Sequence, residues 1–453
     1  MLRQPNKLHL TKTVFFKKVG GEVYVRNVAT GEEFIFSGVA APIFSTLRRG
    51  ALRNHPLIKG NFAFVRDLAT YGLMDEPSVC GKTNGQDIHA KPHDDACKEV
   101  SGISGHFQEI RRRRHQLWSA GLELTYRCNA HCRHCYIDIP KEQSTARELT
   151  EEEWMSVVDQ LARMGCMNVL VTGGEPSLHS AFLSVCERII KRGMLCDVYT
   201  NGLDISDYLF GELCKLPLIS ISVSLYSGTN VFHDKITGVS GSFQKTLTNL
   251  LRFKDAGFDA YAKVPIFHKH LEDFFTAKEL GREHGFHVLA STILVPGHSG
   301  KTRNPMMMDA TEYKEFLERE TEPHPSIETT SSIEKCRKEP ICHAGQSTLC
   351  VSPFGDVMPC NSFPAVCGNV RKSSLSQIWR TSTLLHRLRK LRRCDASPRC
   401  SACADIAYCT VCPGASWNET QGRIAPCSWS CEQTRVRATF NRETQTDKQR
   451  RKQ

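Results

Sequence analysis

The chain has 453 residues, 40% of them hydrophobic and 24% charged, a composition typical of a globular protein with room for about three domains. This excludes a disordered, collagen-like or fibrous protein. The net charge of +11 would suit a nucleic-acid partner, but the basic residues cluster in a run at 111–114 and in a tail after residue 435. Such runs are usually solvated, so we expect no nucleic-acid partner.

The 21 cysteines are the most unusual feature of the composition. No apolar stretch approaches the roughly 18 to 20 residues that span a bilayer, and the N-terminal segment lacks the apolar core of a signal peptide. We therefore expect a cytoplasmic protein with no membrane partner, in which thiols stay reduced. Cysteines at motif spacing then favour metal ligation over disulfides.

Residues 1–75 are expected to form a separate unit. A Gly-Gly pair between two runs of β-branched and aromatic residues is a hairpin signal, and a third strand and two helical patterns follow. The predicted strands span residues 14–18, 23–28 and 33–36, and the predicted helices span 40–47 and 62–73. Three strands followed by helices predict a winged-helix-like domain. Residues 76–117, rich in polar residues, Gly and Pro, are predicted to be a linker.

Strand and helix patterns alternate from residue 118 to residue 305. The six predicted strands span residues 122–126, 168–172, 196–200, 219–225, 261–266 and 288–294. One helix is predicted to begin at Thr150, where Glu153 completes a capping box. The alternation predicts an α/β fold with a parallel sheet, which right-handed crossovers curve into a full or partial barrel. Functional residues then lie at the C-terminal ends of the strands.

The C-terminal third has a different composition. Residues 306–335 are predicted to connect the barrel to a cysteine-rich domain at 336–435, which holds twelve of the 21 cysteines. This domain has few long apolar segments, so metal ligation is expected to stabilise it. Residues 436–453 are predicted to be a basic, disordered tail.

Cys128, Cys132 and Cys135 form a C-x3-C-x2-C motif directly after the first predicted barrel strand. Three thiolates can hold a cubane iron-sulfur cluster and leave its fourth iron open for a cosubstrate. A structural zinc site, the alternative, prefers four closed ligands, and it would indicate a zinc-organised binding protein without enzymatic activity. The two histidines within the motif, His131 and His134, are interpreted as exposed loop residues.

The segment YRCNAHCRHCY resembles the signature of radical S-adenosylmethionine (SAM) enzymes. In that family the open iron binds the amino and carboxylate groups of SAM, and one electron cleaves SAM to a radical that abstracts a substrate hydrogen. The resemblance implies a partial (β/α)6 barrel similar to a TIM barrel, with SAM and a 4Fe-4S cluster as cofactors.

Other motifs at the predicted strand ends agree with this resemblance. Gly173-Gly174-Glu175-Pro176 resembles the family's GGEP segment, whose backbone and carboxylate meet the SAM amino group, and glycines permit that approach. Lys263 could approach the SAM ribose or carboxylate, although a solvated lysine is an equal alternative. The cofactor-binding residues implied by the resemblance are Tyr136, Gly173, Gly174, Glu175, Pro176, Asn201, Ser222 and Lys263.

The C-terminal cysteines resemble the SPASM domain, the auxiliary-cluster extension of many radical SAM peptide maturases. The resemblance implies one 4Fe-4S cluster on Cys336, Cys342, Cys360 and Cys412, and a second on Cys400, Cys403, Cys409 and Cys427. The chain departs from the family in having two residues, where three are common, between Cys409 and Cys412. Cys431 could replace Cys427 as the last ligand, and Cys394 is a further competitor. A zinc ribbon formed by the two CxxC pairs is the alternative.

The N-terminal unit resembles the RiPP recognition element, a leader-peptide-binding domain related to the chaperone of pyrroloquinoline quinone biosynthesis. The strand at residues 33–36 would offer an exposed edge to which an extended leader adds. The alternative, a DNA-binding winged helix, requires a strongly basic recognition helix that the sequence lacks.

These resemblances predict an enzyme that modifies a ribosomally made precursor peptide, with a flavodoxin or ferredoxin as reductant. The layout most resembles the sactisynthases, which form sulfur-to-α-carbon thioethers. Carbon-carbon crosslinking, epimerisation and backbone excision are alternatives, as is an anaerobic sulfatase or quinone-cofactor maturase. No catalytic residue is assigned; Asp234 and Asp356 are the acidic candidates near matched motifs.

Overall fold

The fold is taken from a computed structural model of the chain. The structure describes residues 7–8, 10–11, 14–19, 22–27, 32–36, 40–52, 55–60, 64–65, 68–69, 73–74, 97–98, 114–138, 147–217, 220–298, 303–320, 333–420 and 422–450.

The N-terminal unit contains a four-stranded antiparallel sheet packed on a helix. Its strands pair in the order β2-β3-β4-β6, and a two-stranded pair, β1-β5, lies beside it. The elements are β1 (Lys7–Leu8), β2 (Val14–Val19), β3 (Glu22–Asn27), β4 (Glu33–Phe36), α1 (Ala40–Arg48), β5 (Ala51–Leu52), α2 (Pro56–Lys59) and β6 (Cys97–Lys98). The core of the unit is aromatic: the Phe36 ring centroid lies 5.2 Å from that of Phe44 and 5.4 Å from that of Phe64.

The three predicted N-terminal strands and the first predicted helix are confirmed. The predicted helix 62–73 is described only at 64–65 and 68–69, where it is helical; its other residues lie outside the described part except Leu73, which is not helical. The expectation of an open strand edge at residues 33–36 is wrong, because β6, from the predicted linker, pairs with it: Ile35 lies opposite Lys98 and Phe36 opposite Cys97.

Most of the remaining strands form one nine-stranded sheet, in the order β12-β11-β10-β9-β8-β7-β13-β14-β15. The strands β7 to β12 are parallel and follow the chain order, as the alternation of patterns predicts. They are β7 (Ser119–Glu123), β8 (Asn168–Thr172), β9 (Leu195–Thr200), β10 (Ser220–Ser224), β11 (Ala260–Pro265) and β12 (His287–Ser291). The first predicted strand, 122–126, is displaced: β7 ends at Glu123, so Thr125 and Tyr126 belong to the loop that leads to Cys128.

Helices connect these strands, and their apolar faces form the main core. They are α3 (Glu151–Arg163), α4 (Phe182–Lys191), α5 (Asp207–Leu213), α6 (Asn230–Thr237), α7 (Ser242–Asp255), α8 (Leu271–His284) and α9 (Ala310–Arg319). The predicted capping box of α3 is confirmed, since Thr150 and Glu153 each accept the other's backbone N–H. Trp154 on α3 is fully buried.

Strands from the cysteine-rich region extend the main sheet, which the sequence patterns do not predict. β13 pairs in parallel with β7, with Thr348 opposite Ser119, and β14 and β15 continue the sheet in antiparallel order. Leu349, Val351 and Trp379 join the main core. The C-terminal elements are α10 (Ile333–Lys338), β13 (Thr348–Val351), β14 (Asp356–Met358), β15 (Gly368–Asn369), α11 (Leu375–Thr381), α12 (Thr383–Lys390), α13 (Pro398–Ser401), α14 (Pro413–Glu419) and α15 (Ser428–Arg450).

The expectation of a disordered tail from residue 436 is wrong for the described residues, because α15 continues to Arg450. Val436 and Phe440 recur at helical spacing and pack against the main core, and Trp429 is buried. The high charge of the tail conceals this apolar stripe in the sequence. No helix of the described residues combines the length and the apolar character that crossing a bilayer requires.

An ion pair joins helix α3 to the C-terminal region. The Arg371 guanidinium donates to both carboxylate oxygens of Glu153, at 2.7 and 3.0 Å. This bidentate bond lowers the pKa of Glu153 from 4.5 to about 2.

Glu153→Gln is therefore expected to lower the free energy of unfolding by about 1–3 kcal/mol at neutral pH. Because folding depresses the pKa of Glu153, this difference should be complete above pH 4.5 and vanish as the pH falls toward 2. Urea denaturation across this pH range measures it. Glu279→Gln, which breaks an exposed pair with Arg282, is the matched control and should cost at most about 1 kcal/mol. Equal losses in the two variants would contradict the prediction.

Candidate active site

The C-terminal ends of the parallel strands surround a cavity of about 900 Å³. The loop after β7, which carries Cys128, Cys132 and Cys135, forms one wall. Phe354 and Asn361, from the cysteine-rich region, contribute to the cavity beside these barrel residues. The cavity thus lies where the sequence analysis places the chemistry, and both regions of the chain build it.

The cysteine loop is anchored to the C-terminal end of α6. The His131 N–H donates to the Thr237 carbonyl at 2.7 Å, and the Arg133 N–H donates to the Ile236 carbonyl at 3.1 Å. Asp234 on α6 accepts bonds from residues 241–243, so it closes the turn after the helix and is not free to act as a base. These bonds hold the loop in place without any ligand.

The three thiols are close enough to affect one another's ionisation. Burial raises the pKa of Cys132 to about 12 and that of Cys135 to about 11, and the neighbouring thiols contribute to both shifts. Burial also raises the pKa of Cys128. Such thiols stay protonated at neutral pH, and coordination to a metal is what would ionise them.

The three thiols of the cysteine loop do not form a compact trio of ligand atoms. Four ligands at 2.3 Å around a tetrahedral zinc lie about 3.8 Å apart. Among the described residues, the one trio of ligand atoms within 4.8 Å of one another is His268, Asp309 and Glu312, which contains no cysteine. A multi-iron cluster, in which each thiolate binds a different iron, does not require its ligand atoms to lie so close together.

The His268 cluster has an ordinary structural explanation. Asp309 and Glu312 form the capping box of α9, and His268 bonds to Glu312 at 2.7 Å. These contacts account for the proximity of the three side chains.

Two glycines of the Gly-Gly-Glu-Pro segment pack against the start of the cysteine loop. Gly173 has a φ of +148°, and a Cβ there would lie 2.4 Å from the Thr125 carbonyl oxygen. A Cβ at Gly174 would lie 2.4 Å from the Arg127 carbonyl oxygen. Both glycines line the cavity, as predicted, but the close approach that requires them is to the chain's own backbone.

Glu175 is buried and does not line the cavity. Its carboxylate accepts hydrogen bonds from Ser177, Thr200 and the Asn201 N–H, at 2.8 to 3.0 Å. The structure thus gives Glu175 a positioning role between two strand ends, where the resemblance implies contact with SAM. Pro176 and Ser222, also implied to bind the cofactor, are buried outside the cavity.

Lys263 does line the cavity, at the end of β11. Its Nζ lies 3.8 Å from the centroid of the Tyr199 ring, and burial lowers its pKa to about 8. Asn201 lines the cavity as well, and its side chain bonds to Asn129 at 2.7 Å. Lys263 is thus partly buried at the cavity, and its contact with SAM stays a prediction.

A buried carboxyl group that sequence reasoning missed lies at the end of β7. Glu123 accepts hydrogen bonds from the hydroxyls of Tyr126, at 2.8 Å, and Tyr136, at 3.1 Å. Burial raises the pKa of Glu123 to about 7. Tyr136 lines the cavity, as expected, but its hydroxyl is committed to Glu123. The sequence does carry a signal for this buried carboxyl group, because Glu123 stands between two leucines of an otherwise apolar strand.

The interpretation of His134 as an exposed loop residue is wrong. Its ring packs against Tyr226, with centroids 4.8 Å apart, and against Phe267 at 5.0 Å. Burial lowers the pKa of His134 to about 4, so the ring is neutral. Tyr226, which sequence reasoning also missed, places its hydroxyl 3.6 Å from the Cys132 sulfur. His131 is exposed, as predicted.

Three of the four thiols expected to hold the first auxiliary cluster are brought together. The Cys342 and Cys412 thiols raise the pKa of Cys360, after the larger effect of burial. The Arg393 guanidinium lowers the pKa of both Cys336 and Cys342, against the larger effect of burial.

The second group differs from the expectation in one member. The pKa of Cys400 is raised to about 11, first by burial and then by Cys409, Cys431 and Cys403. Cys427 instead lies next to Cys412, whose carbonyl it approaches at 3.8 Å. The structure therefore gathers Cys431, and not Cys427, with Cys400, Cys403 and Cys409.

The remaining C-terminal cysteines have other surroundings. Cys394 bonds to the neighbouring Asp395 at 3.5 Å. Cys350 is fully buried, with its sulfur against Gly121, and Cys367 packs against the main core. Asp356, the second acidic candidate, accepts a bond from Asn369 at 2.8 Å and so stabilises the β14–β15 turn.

Comparison with protein families identifies two domains in the chain. Residues 122–275 match the radical SAM superfamily, and residues 342–404 match the SPASM iron-sulfur cluster-binding domain. The first range contains the end of β7, the cysteine loop and β8 to β11, and the second begins at Cys342. The chain thus carries a radical SAM domain followed by a SPASM domain.

Relatives of known function cover most of the chain. The antilisterial bacteriocin subtilosin biosynthesis protein AlbA of Bacillus subtilis is 26% identical over 320 residues, which are 69% of this chain and 70% of AlbA. An AdoMet-dependent haem synthase of Methanosarcina barkeri is 24% identical over 63% of this chain and 90% of its own length.

The fold is similar to that of Streptococcus suis SuiB, solved in complex with the precursor peptide SuiA. The TM-score is 0.61 at 15% identity, and the alignment covers 93% of this chain and 99% of SuiB.

Gly174→Ala is expected to lower the free energy of unfolding by about 1–3 kcal/mol and to reduce the iron bound after anaerobic reconstitution, because its Cβ collides with Arg127. Gly211→Ala is the matched control. Its Cβ meets no atom within 4 Å in helix α5, so it should stabilise by up to about 1 kcal/mol. Urea denaturation and iron analysis measure both effects, and equal behaviour of the two variants would refute this account of the loop.

Proposed function

We propose that this chain, with its radical SAM and SPASM domains, modifies a ribosomally synthesised precursor peptide by radical chemistry and forms a sulfur-to-α-carbon thioether. The observation that carries the proposal is the position of three free thiols at a cavity that a cysteine-rich domain helps to build. Cys128, Cys132 and Cys135 would hold a 4Fe-4S cluster with one iron open to SAM.

When bound, the cluster and SAM supply a 5′-deoxyadenosyl radical that removes a substrate hydrogen. The chain's own residues hold and shield the site. Because Gly173 and Gly174 lack a Cβ, this wall of the cavity packs directly on the backbone that leads to the thiols. Lys263 would place its cation against the SAM carboxylate or ribose. Asn201 and Tyr136 line the part of the cavity in which SAM would bind.

The cavity is large enough for SAM and part of a peptide. Its volume of about 900 Å³ lies at the upper end of the usual range for ligand sites, about 300–1,000 Å³. Phe354 and Asn361 face it from the SPASM domain, so a peptide in the cavity would contact both domains.

The SPASM domain would hold two auxiliary clusters, one of which could take the electron released when the crosslink closes. We assign Cys336, Cys342, Cys360 and Cys412 to the first and Cys400, Cys403, Cys409 and Cys431 to the second. Arg437 supports the second assignment, because it is 2% exposed, bonds to Thr410 beside Cys409, and its Nε has no partner among the described residues. A cluster with four thiolates is an anion that such a cation would stabilise.

The N-terminal unit would act as the recognition element for the leader of the precursor. Its support is an antiparallel sheet packed on a helix and joined to the base of the barrel, where the Tyr24 and Trp118 rings lie 5.5 Å apart. Because β6 pairs with β4, a leader that adds to β4 must first displace β6. The relatives support a peptide substrate, since AlbA is a bacteriocin biosynthesis protein and SuiB binds SuiA.

The haem synthase match supplies a second candidate function, because it covers 90% of that relative. A haem precursor would then replace the peptide as the substrate. Either reaction requires an electron donor, for which we propose a flavodoxin or ferredoxin of the cytoplasm.

Anaerobic co-expression with a short peptide encoded beside the gene tests the proposal. We expect about 12 irons per chain, 5′-deoxyadenosine on reduction, and a peptide that has lost two hydrogens per crosslink. Cys128→Ala should abolish the mass change. Bound zinc without SAM cleavage would overturn the proposal. An unchanged peptide mass would contradict the crosslink and favour epimerisation or no reaction. Turnover of a haem precursor alone would establish the second candidate function.

The ligand assignment of the second auxiliary cluster has its own test. Cys431→Ala should reduce the iron content from about 12 to about 8 per chain, whereas Cys394→Ala should leave it unchanged. Iron analysis and Mössbauer spectroscopy of the reconstituted full chain measure the loss. A full complement of clusters in Cys431→Ala, with loss of the same cluster in Cys427→Ala, would restore the assignment to Cys427.

A further inference from the structure

We propose that Tyr226 is a positioning residue that donates a hydrogen bond to the Cys132 thiolate and thereby raises the reduction potential of the SAM-binding cluster. The inference rests on the proposed function only in assuming that the cluster binds to Cys128, Cys132 and Cys135. It concerns a residue that lies outside all the motifs on which that proposal depends.

The geometry places the Tyr226 hydroxyl against one of the three sulfurs. Tyr226 follows the end of β10, is 6% exposed and lines the cavity. Its hydroxyl oxygen lies 3.6 Å from the Cys132 sulfur. A thiolate bound to iron has no proton, so in the loaded protein the hydroxyl must be the donor.

Surrounding rings fix the orientation of Tyr226. Its ring centroid lies 4.8 Å from His134, 5.3 Å from His233 and 6.1 Å from Phe267. Its backbone N–H donates to the His233 Nδ1 at 3.2 Å. Because both the ring and the backbone are held, the hydroxyl meets the sulfur without a large loss of side-chain entropy.

Different hydrogen-bond donors contact the sulfurs of Cys128 and Cys132. Cys128 receives the Asn201 amide at 3.7 Å and the Ala130 N–H at 3.4 Å. Cys132 receives the Tyr226 hydroxyl. Asn201 also bonds to Asn129, whereas the Tyr226 hydroxyl lies within a ring of aromatic side chains at Cys132. The Ser224 side chain is a further partner of the Tyr226 hydroxyl, and among the three sulfurs Cys132 is the one at hydrogen-bond distance from it.

The sign of the effect follows from charge. Reduction places further negative charge on the cluster and its thiolates, and a hydrogen bond to sulfur stabilises that charge. The reduced state gains more than the oxidised state, so the bond raises the potential. A bond worth a factor of ten in the one-electron equilibrium corresponds to about 59 mV.

Tyr226→Phe removes the hydroxyl and keeps the packed ring. In the reconstituted full chain, we expect the cluster to become about tenfold harder to reduce, which is a fall of about 59 mV in its midpoint potential. A redox titration followed by EPR, with SAM added to mark the SAM-binding cluster, measures the shift. Tyr199→Phe is the matched control, because it removes a tyrosine hydroxyl from the same cavity near Lys263, and its potential should not change.

A second variant keeps the test independent of folding. Replacing Tyr226 with 3-fluorotyrosine retains the ring and makes the hydroxyl a stronger donor, so the potential should rise. The proposal is overturned if both substitutions at 226 leave the potential unchanged, or if Tyr199→Phe lowers it as much as Tyr226→Phe.

Failure of this inference is distinguishable from failure of the proposed function. A protein that binds the cluster and cleaves SAM, but whose potential does not respond to Tyr226, retains the function and loses the inference. A protein without a SAM-responsive cluster loses both.

Discussion

The parallel pairing of β7 with β8 on one side and β13 on the other is the constraint on which the site depends. The loop that carries the three thiols follows the C-terminal end of β7, with Cys128 five residues after Glu123, and the two glycines come directly after β8. β13, which pairs with the opposite edge of β7, leads through a hairpin to Cys360. Backbone hydrogen bonds of one sheet therefore set the positions of the first thiol group, its glycine wall and part of the second group.

Buried polar side chains then hold these strand ends in register. Glu175 ties the end of β8 to the end of β9 through Thr200 and Asn201, and Glu123 holds two tyrosines at the end of β7. A buried carboxylate is tolerated only where donors satisfy it, and both groups have them. The cavity wall is thus preorganised by two buried carboxyl groups, Glu123 and Glu175, that do not themselves line the cavity.

The sequence predicts the barrel strands and the cysteine loop well because both depend on local patterns. Period-two and period-3.6 patterns predict both ends of β8 correctly. The short sequence spacing of Cys128, Cys132 and Cys135 predicts that their thiols lie near one another, and in the structure they do. Long-range features were not predictable in this way. The pairing of β13 with β7, the grouping of Cys431 with Cys400, and the contact of Tyr226 with Cys132 join residues far apart in the chain. The prediction of a disordered tail is wrong for a local reason, because the high charge of the tail conceals a stripe of apolar residues.

The late position of β13 has a consequence for synthesis on the ribosome. β7 is complete once residue 123 has emerged, but the partner for its second edge begins at Thr348. Throughout the intervening translation the nascent sheet presents β7 as an unpaired edge, which is a template for association with other chains. Sheet closure over so long a sequence separation is also entropically slow. Shielding this edge of β7 from other chains until Thr348 has been made would therefore favour folding over association.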